Sequence, residues 1–242
     1  MTQLAEEWDL TIGEPYATGA GGYVVRAERS DGTPAVLKLV FPHRESEHEA
    51  DALERWAGNG AVQVLARDDE RHALLLERCE PGTFLSELDA SRALDILVGL
   101  LPRLWVSAEG FHTLVDEVEH WIDEGLEPNL VGLARELASS QGEPVLTHQD
   151  LHGDNVLAAA REPWLVIDPK PLAAEREFQV APIVRSGELG HTRRQALYRL
   201  DRLCADLALD RERARLWTIV QTTAWSEGAT LPSHGAVLDW LA

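Results

Sequence analysis

The sequence predicts an α+β fold with two lobes, a small antiparallel sheet with one helix followed by a larger, mainly helical part. Short apolar runs separated by turn residues recur between residues 8 and 76, as expected for strands. One amphipathic helical segment, residues 46–57, interrupts those runs. From residue 84 onward, apolar residues recur mainly at helical spacing.

The boundary between the two lobes is predicted near Pro81-Gly82, because this pair interrupts regular structure. We predict an N-terminal lobe at residues 1–78, a hinge at 79–83 and a helical C-terminal lobe at 84–242. Predicted strands cover residues 10–17, 24–28, 35–40, 61–66 and 72–76. Predicted helices cover residues 85–106, a segment from about 175, and residues 193–207, 211–227 and 234–241.

Composition narrows the class of protein. The net charge of −19 over 242 residues argues against nucleic acid as a partner, since its phosphates require a basic surface. It is compatible with a cationic substrate, and equally with solubility alone. No run approaches the ~20 apolar residues that span a bilayer, and two cysteines make no disulfide framework. We expect a cytoplasmic protein without a membrane partner, a monomer or weak dimer.

The segment from Thr147 to Leu157, with the strand that ends at Asp168, carries the most chemistry. Asp150 is suited to receive a hydroxyl proton, and the oxygens of Asn155 and Asp168 are suited to Mg²⁺. A catalytic-loop Asp, an Asn further along that loop and a later metal-binding Asp are the parts of the protein-kinase pattern. The pattern indicates a phosphotransferase.

Two alternatives remain open for this segment. Polar residues between apolar runs commonly form only a turn. A metal hydrolase is the second alternative, because His148, Asp150, His152 and Asp154 alternate as metal ligands do. It leaves Asn155 and the strand before Asp168 unexplained.

The N-terminal strands offer a candidate phosphate site. Gly19, Gly21 and Gly22 lie between two predicted strands, where backbone amides can approach a phosphate, although a hairpin turn explains them equally well. Lys38 lies inside an apolar strand, where an unpaired ammonium is costly. It is one of only two lysines, with Lys170, in a chain of 20 arginines. A retained lysine indicates a need for a compact point charge.

The helix predicted at residues 46–57 contains a candidate partner for Lys38. Glu49, Leu53 and Trp56 stand at i, i+4 and i+7, so Glu49 lies on the apolar stripe. Ser46 and Glu49 also match a capping box, in which Glu49 would reach back to the helix start. Both interpretations stay open from the pattern.

An acidic run without Lys or Arg lies between residues 104 and 134. A solvated helix face is the commoner explanation for such a run, and a wall that attracts amines or guanidines is the functional one. The candidate substrate residues are Glu109, Asp116, Glu117, Glu119, Asp123 and Glu124.

The order of these segments resembles the aminoglycoside phosphotransferase family, in particular its streptomycin and hydroxyurea branch. The matching pieces span about residues 18–185. They are 19–23, 32–38, 47–50, 75–78, 150–155, 167–170 and 178–182.

The resemblance implies a bilobal kinase-like fold that uses ATP and Mg²⁺ to phosphorylate a hydroxyl of a small, aminoglycoside-like molecule, and thereby antibiotic resistance. It implies that Lys38 binds the α- and β-phosphates and that Glu49 holds Lys38. Asp150 would be the base or the orienting carboxylate, with Asn155 and Asp168 as Mg²⁺ ligands. The nucleotide would also meet the glycine loop and the hinge side, at Glu77, Arg78 and Cys79.

Three departures from the family pattern bear on the acceptor. Gln149 precedes Asp150 where the family usually has Gly, and Gln179 stands where an Asp usually braces the catalytic loop. The chain is also short, so we expect trimmed substrate-binding helices. A kinase of a different metabolite or amino sugar and a non-catalytic nucleotide-binding protein remain the alternatives.

Overall fold

The computed structural model describes residues 1–16, 22–225 and 232–242. Contacts divide the chain into two compact units. The first comprises Met1–Thr83 and Leu157–Pro169, and the second comprises Phe84–Val156 and Lys170–Ala242. Within these described ranges, none of the helices combines the length and apolar character needed to cross a bilayer.

The described part of the chain forms the following strands and helices. The strands are β1 Leu10–Pro15, β2 Gly22–Arg29, β3 Pro34–Val40, β4 Val64–Asp68, β5 Ala73–Glu77, β6 Val145–Thr147, β7 Val156–Ala158, β8 Trp164–Val166 and β9 Leu172–Ala174. The helices are α1 Thr2–Glu7, α2 Glu49–Trp56, α3 Ala90–Leu104, α4 Leu114–Asp123, α5 Pro128–Ser139, α6 Arg176–Gln179, α7 Ala181–Arg185, α8 Arg193–Leu207, α9 Arg211–Ala224 and α10 Pro232–Leu241. Short 3-10 turns occur at Arg44–Ser46, Leu85–Glu87 and Gly153–Asn155.

The first unit is built on a five-stranded antiparallel sheet in the order β1-β2-β3-β5-β4. Val25, Leu37 and Leu75 stand opposite one another on β2, β3 and β5 and form an apolar core on one face. Because side chains alternate along a strand, Lys38 points to the other face. The predicted fold class, a small antiparallel sheet with a mainly helical remainder, is confirmed.

Residues 157–169 belong to the first unit, whereas the residues before and after them belong to the second. The Val166 N–H donates to Gly60 O at 2.9 Å, and Val62 N–H donates to Val166 O at 3.1 Å. The Arg161 guanidinium donates to the carbonyl oxygens of Gly58 and Ala61. These backbone partners attach the segment to the chain that follows α2.

The second unit has an aromatic core around Phe178. The Phe178 ring stacks on Trp121 of α4 with ring centroids 6.1 Å apart and meets Trp217 of α9 edge-on at 5.3 Å. Leu114, Leu137 and other buried residues of α4, α5 and α9 complete this core. Strands β6 and β9 pair antiparallel beside it and lead into the segment that begins at His148.

Helix ends differ from the sequence prediction where local capping intervenes. The helix predicted at residues 85–106 is a 3-10 turn followed by α3, which starts after Asp89 because that side chain accepts hydrogen bonds from Ser91 N and Arg92 N. Helix α8 has the predicted limits. Helix α9 begins as predicted and ends at Ala224, whereas the predicted end, Glu227, lies outside the described residues.

Candidate active site

Lys38 is buried in the first unit between two carboxylates. Its Nζ donates to Glu49 Oε1 at 2.6 Å and to Asp168 Oδ1. Only 6% of Lys38 is exposed. Burial alone would lower the pKa of the ammonium, but the neighbouring charges of Glu49 and Asp168 outweigh it and raise the pKa of Lys38 above its ordinary value. The side chain is therefore a fixed cation.

The start of α2 decides between the two roles considered for Glu49. Helix α2 begins at Glu49 itself rather than at Ser46, so Glu49 cannot occupy the third position of a helix capped there. The Ser46 hydroxyl instead donates to Phe41 O at 3.1 Å and to His43 O at 3.0 Å. Glu49 lies on the buried side of α2 and binds Lys38.

Two residues near the motifs have left-handed backbone conformations. Asp168 has a φ of 54° and Gln149 a φ of 56°. A non-glycine residue in this region costs on the order of 1–3 kcal/mol, and such residues concentrate at functional sites. At Asp168 the turn follows β8 directly, which leaves 43% of the carboxylate side chain exposed beside Lys38.

In the second unit, Asp150 is surrounded by cationic groups. Lys170 Nζ lies 3.1 Å from Asp150 Oδ2. Arg185 Nη2 and His152 Nε2 each lie 4.0 Å from Asp150 Oδ1. The Asp150 side chain is 18% exposed, so its carboxylate is reachable while both oxygens face positive charge.

The backbone around Asp150 is held by buried amide side chains. Gln149 Nε2 donates to Glu117 Oε1 at 3.0 Å, and Gln149 O accepts from Gln221 Nε2 at 3.2 Å. His148 N donates to Gln179 Oε1 at 2.6 Å. Gln179 thus makes the bracing hydrogen bond without a charge, and Gln149 connects the loop to α4.

The 3-10 turn at Gly153–Asn155 sets the orientation of Asn155. Gly153 N donates to Glu188 Oε1 at 2.9 Å, and a Cβ on Gly153 would come within 3.1 Å of Ser86 backbone atoms. Asn155 Nδ2 then donates to Asp150 O at 2.9 Å. Because the amide nitrogen is directed at the chain, the other branch of the carboxamide, Oδ1, is the ligand atom that Asn155 offers.

Glu188 and His152 form an ion pair behind this turn. Burial alone would raise the pKa of Glu188, but hydrogen bonds from His152 and Ser186 outweigh it and lower the pKa to about 2. For His152, burial alone would lower the pKa. The hydrogen bond to Glu188 and the charges of Asp150, Glu188 and Asp154 outweigh burial and raise the pKa of His152. The pair fixes the Gly153 turn through a charged acceptor.

The ligand atoms of Asn155 and Asp168 are of the kind that Mg²⁺ prefers, whereas those of the metal-hydrolase alternative do not come together. Asn155 offers an amide oxygen and Asp168 a half-exposed carboxylate, both hard oxygen ligands. His152, Asp154 and Glu188 have ligand atoms within 4.8 Å of one another, whereas His148 and Asp150 join no such group among the described residues. The alternating ligand set therefore does not converge.

Side chains at the predicted hinge are engaged by neighbours. The Glu77 carboxylate accepts two hydrogen bonds from Arg161 at 2.9 Å, and Arg78 Nη2 lies 2.6 Å from Glu80 Oε1. Cys79 is buried, and burial raises the pKa of its thiol to about 12. These contacts leave backbone groups, rather than side chains, as candidates for nucleotide recognition.

Of the predicted glycine loop, only Gly22 is described. A Cβ on Gly22 would lie 2.5 Å from Leu39 O, so the close approach of β2 to β3 requires glycine there. Gly19 and Gly21 lie outside the described residues.

The predicted acidic wall is divided in the structure. Glu117 is buried and accepts a hydrogen bond from Gln149, the residue before Asp150. Asp116 caps α4 by accepting from Thr113 N, and Glu119 pairs with Arg135 at 2.6 Å. Exposed positions are occupied by Glu109, Asp123 and Glu124.

Three residues around Asp150 were not assigned a role from the sequence. Lys170 and Arg185 both lie over the Trp225 ring, at 4.6 Å and 4.8 Å from its centroid. Burial lowers the pKa of Arg185 to about 10, and Arg185 Nη1 donates to Gln221 Oε1 at 2.6 Å. The scarcity of lysine pointed to position 170 but not to its partner.

Comparison with solved structures shows the fold. The chain superimposes on the choline kinase LicA from Streptococcus pneumoniae with a TM-score of 0.70 at 14% identity, covering 99% of this chain and 96% of that one. The protein therefore has the fold of small-molecule kinases.

Sequence comparison places the chain more closely. The model of the aminoglycoside/hydroxyurea antibiotic resistance kinase family matches residues 7–229, and the chain belongs to this family of phosphotransferases. It is 38% identical over 250 residues to the hydroxyurea phosphotransferase of Kitasatospora aureofaciens, covering 93% of this chain and 72% of the relative. It is 36% identical over 270 residues to the streptomycin 6-kinase of Streptomyces griseus, covering 100% and 88%. The resemblance inferred from the motifs is confirmed.

Proposed function

We propose that this phosphotransferase uses ATP and Mg²⁺ to phosphorylate a hydroxyl of a small, cationic, aminoglycoside-like molecule of the streptomycin type. The observation that carries the proposal is the buried ammonium of Lys38, held by Glu49 beside the exposed carboxylate of Asp168. A buried cation held next to an exposed carboxylate suits a metal–phosphate complex, in which the cation meets phosphate oxygens and the carboxylate meets the metal.

Each residue has a separate task in the proposed reaction. Lys38 binds nucleotide phosphates, and Glu49 holds it in place. Asn155 and Asp168 supply oxygen ligands to Mg²⁺, which neutralises charge on the phosphates when bound. Asp150 accepts a hydrogen bond from the acceptor hydroxyl and aligns its oxygen for attack.

The acidic character of the chain supports a cationic acceptor. The net charge of −19 attracts cations over distance, and Glu117 contributes a buried carboxylate one hydrogen bond from the catalytic loop. The names of two relatives point to streptomycin and hydroxyurea as the first acceptors to test. Streptomycin is the cationic one of the two, so we expect it to be preferred.

An acceptor panel tests this function. Purified protein is incubated with Mg²⁺ and ATP together with streptomycin, other aminoglycosides, amino sugars or hydroxyurea, and products are identified by mass spectrometry. We expect a phosphorylated streptomycin that is absent with Asp150→Asn. Product only with a non-drug metabolite would instead identify a metabolic kinase. Nucleotide binding without any phosphorylated acceptor would identify a non-catalytic nucleotide-binding protein.

A further inference from the structure

Lys170 lies where a cation can reach both Asp150 and its substrate. Its Nζ is 3.1 Å from Asp150 Oδ2, and 26% of the Lys170 side chain is exposed. Lys170 N donates to His148 O at 3.1 Å, which joins its backbone to the residue two positions before Asp150. The lysine is therefore anchored beside the carboxylate while its ammonium remains reachable.

Trp225 orients the ammonium without neutralising it. Lys170 Nζ lies 4.6 Å from the centroid of the indole ring, a distance at which the ring quadrupole attracts a cation. The ring carries no charge of its own, so the ammonium keeps its full charge for other partners. A lysine that only balanced the charge of Asp150 would not need this contact with Trp225.

Asp150 has a second cationic neighbour, Arg185, so Lys170 is not needed merely to balance its charge. Arg185 is 6% exposed, lies 4.0 Å from Asp150 Oδ1 and is tied to Gln221 Oε1. It already places a positive charge beside this carboxylate. Lys170 contacts the other oxygen, Oδ2, and 26% of its side chain is exposed.

The residue type agrees with a phosphate-contacting role. Of 22 lysine and arginine residues in the chain, only Lys38 and Lys170 are lysine. A compact ammonium approaches crowded phosphoryl oxygens as a point charge, whereas guanidinium presents a planar fork. Both lysines lie against carboxylates of the proposed machinery.

We propose that Lys170 is a catalytic residue whose ammonium contacts the phosphoryl group as it moves from ATP to the acceptor. The inference rests on the proposed function, in which the acceptor oxygen lies about 2.7 Å from the Asp150 carboxylate and about 3–3.5 Å from the phosphorus. The Lys170 ammonium, 3.1 Å from the same carboxylate, is then close enough to the acceptor for its side chain to reach the phosphoryl oxygens.

The step needs no reactant beyond ATP and the acceptor. The acceptor oxygen forms a bond to the γ-phosphorus while the bond from phosphorus to the bridging oxygen breaks, and that electron pair leaves with ADP. The hydroxyl proton passes to the Asp150 carboxylate and then to solvent. Lys170 stays protonated and stabilises the negative charge spread over the phosphoryl oxygens.

Loss and chemical restoration of the ammonium test this role. Lys170→Met keeps an unbranched side chain beside Trp225 without charge, and Lys170→Cys can be alkylated with 2-bromoethylamine to restore an ammonium at nearly the same reach. Burial raises the pKa of the two native thiols, Cys79 and Cys204, to about 12 and about 11, so they alkylate slowly. Arg211→Met removes an exposed cation paired with Asp201 and serves as the control.

We expect kcat to fall about 100-fold in Lys170→Met and Lys170→Cys while the dissociation constant of MgATP changes less than about threefold. Alkylation of Lys170→Cys should restore kcat at least about tenfold, whereas alkylated wild type and Arg211→Met should keep their activity. Wild-type kcat in Lys170→Met, or no recovery on alkylation, would refute the role of Lys170 alone. If wild-type protein phosphorylates no acceptor, the proposed function fails and this inference falls with it.

Discussion

Lys38 Nζ on β3 donates a 2.6 Å hydrogen bond to Glu49 Oε1, the first residue of α2. This bond joins the central strand of the sheet to the only helix between β3 and β4 among the described residues. Both side chains are buried, so removal of Lys38 would leave the Glu49 carboxylate buried without this partner.

Replacement of Lys38 by arginine should be damaging although charge is kept. The planar guanidinium does not fit between Glu49 and Asp168 as the ammonium does. We expect kcat/KM to fall by about 100-fold or more, measured by steady-state phosphorylation of the acceptor. Arg211→Lys, the reverse exchange at an exposed ion pair, should leave kcat/KM unchanged. Activity of Lys38→Arg close to wild type would count against this role of Lys38.

Removal of the Asp168 carboxylate should uncouple nucleotide binding from Mg²⁺. We expect wild-type protein to bind ATP more tightly with Mg²⁺ than with EDTA, and Asp168→Ala to bind it equally in both, as measured by isothermal titration calorimetry. Asp201→Ala is the control, because Asp201 is an exposed carboxylate paired with Arg211. A persistent Mg²⁺ effect in Asp168→Ala would show that the metal is held elsewhere.

Replacement of Gln149 by glycine should destabilise the protein, although glycine is favoured at its backbone conformation. Glycine relieves about 1 kcal/mol at a positive φ, but Gln149→Gly also removes the buried hydrogen bond to Glu117, worth about 1.5–3 kcal/mol. We expect Gln149→Gly to lower the free energy of unfolding by about 1 kcal/mol in urea titrations. Ala208→Gly should raise the free energy of unfolding, because Ala208 is exposed and has a φ of 55°. Stabilisation of both variants would mean that the Glu117 bond contributes nothing.

The ion pair of Glu188 and His152 should stabilise the protein within a pH window. The pKa of Glu188 is lowered from 4.5 to about 2, so its contribution is present above pH 4.5 and is lost as pH falls towards 2. The pKa of His152 is raised above 6.5, so its contribution is present below pH 6.5 and is lost as pH rises through the folded-state value. Glu188→Gln should therefore cost most between pH 4.5 and 6.5.

Thermal unfolding at about pH 5.5 and about pH 9 measures this window. The control is Glu212→Gln, because Glu212 pairs with Arg215, whose charge does not change over this range. We expect the loss of melting temperature in Glu188→Gln to shrink at the higher pH and that in Glu212→Gln to stay constant. Equal losses at both pH values for Glu188→Gln would contradict the charged pair.

The sheet and the Lys38–Glu49 contact could be anticipated because their signals are local. An unpaired ammonium is costly inside the apolar strand of Lys38, and the apolar stripe of α2 made Glu49 one candidate partner, with a capping box as the alternative. The structure places these two residues in contact. The partner of strand β8, the backbone at Gly60 and Val62, could not be predicted because a three-residue strand has no pattern that reveals it.

The surroundings of Asp150 could not be predicted from the sequence. Its neighbours Arg185, Gln221 and Trp225 come from α7 and the end of α9, tens of residues away in the chain. A buried polar residue on a helix has the same sequence signal as an exposed one when the apolar stripe is interrupted. The partners of Lys170 and Gln149 therefore emerge only from the fold.

The most direct test of the account is a single-turnover measurement of phosphoryl transfer in Asp150→Asn. With protein in excess over labelled ATP and saturating acceptor, we expect transfer to fall about 1,000-fold or more while MgATP affinity stays within a fewfold of wild type. Asp201→Asn, which alters an exposed ion pair, should transfer at the wild-type rate. Transfer by Asp150→Asn at a rate close to wild type would contradict the assignment of the catalytic centre.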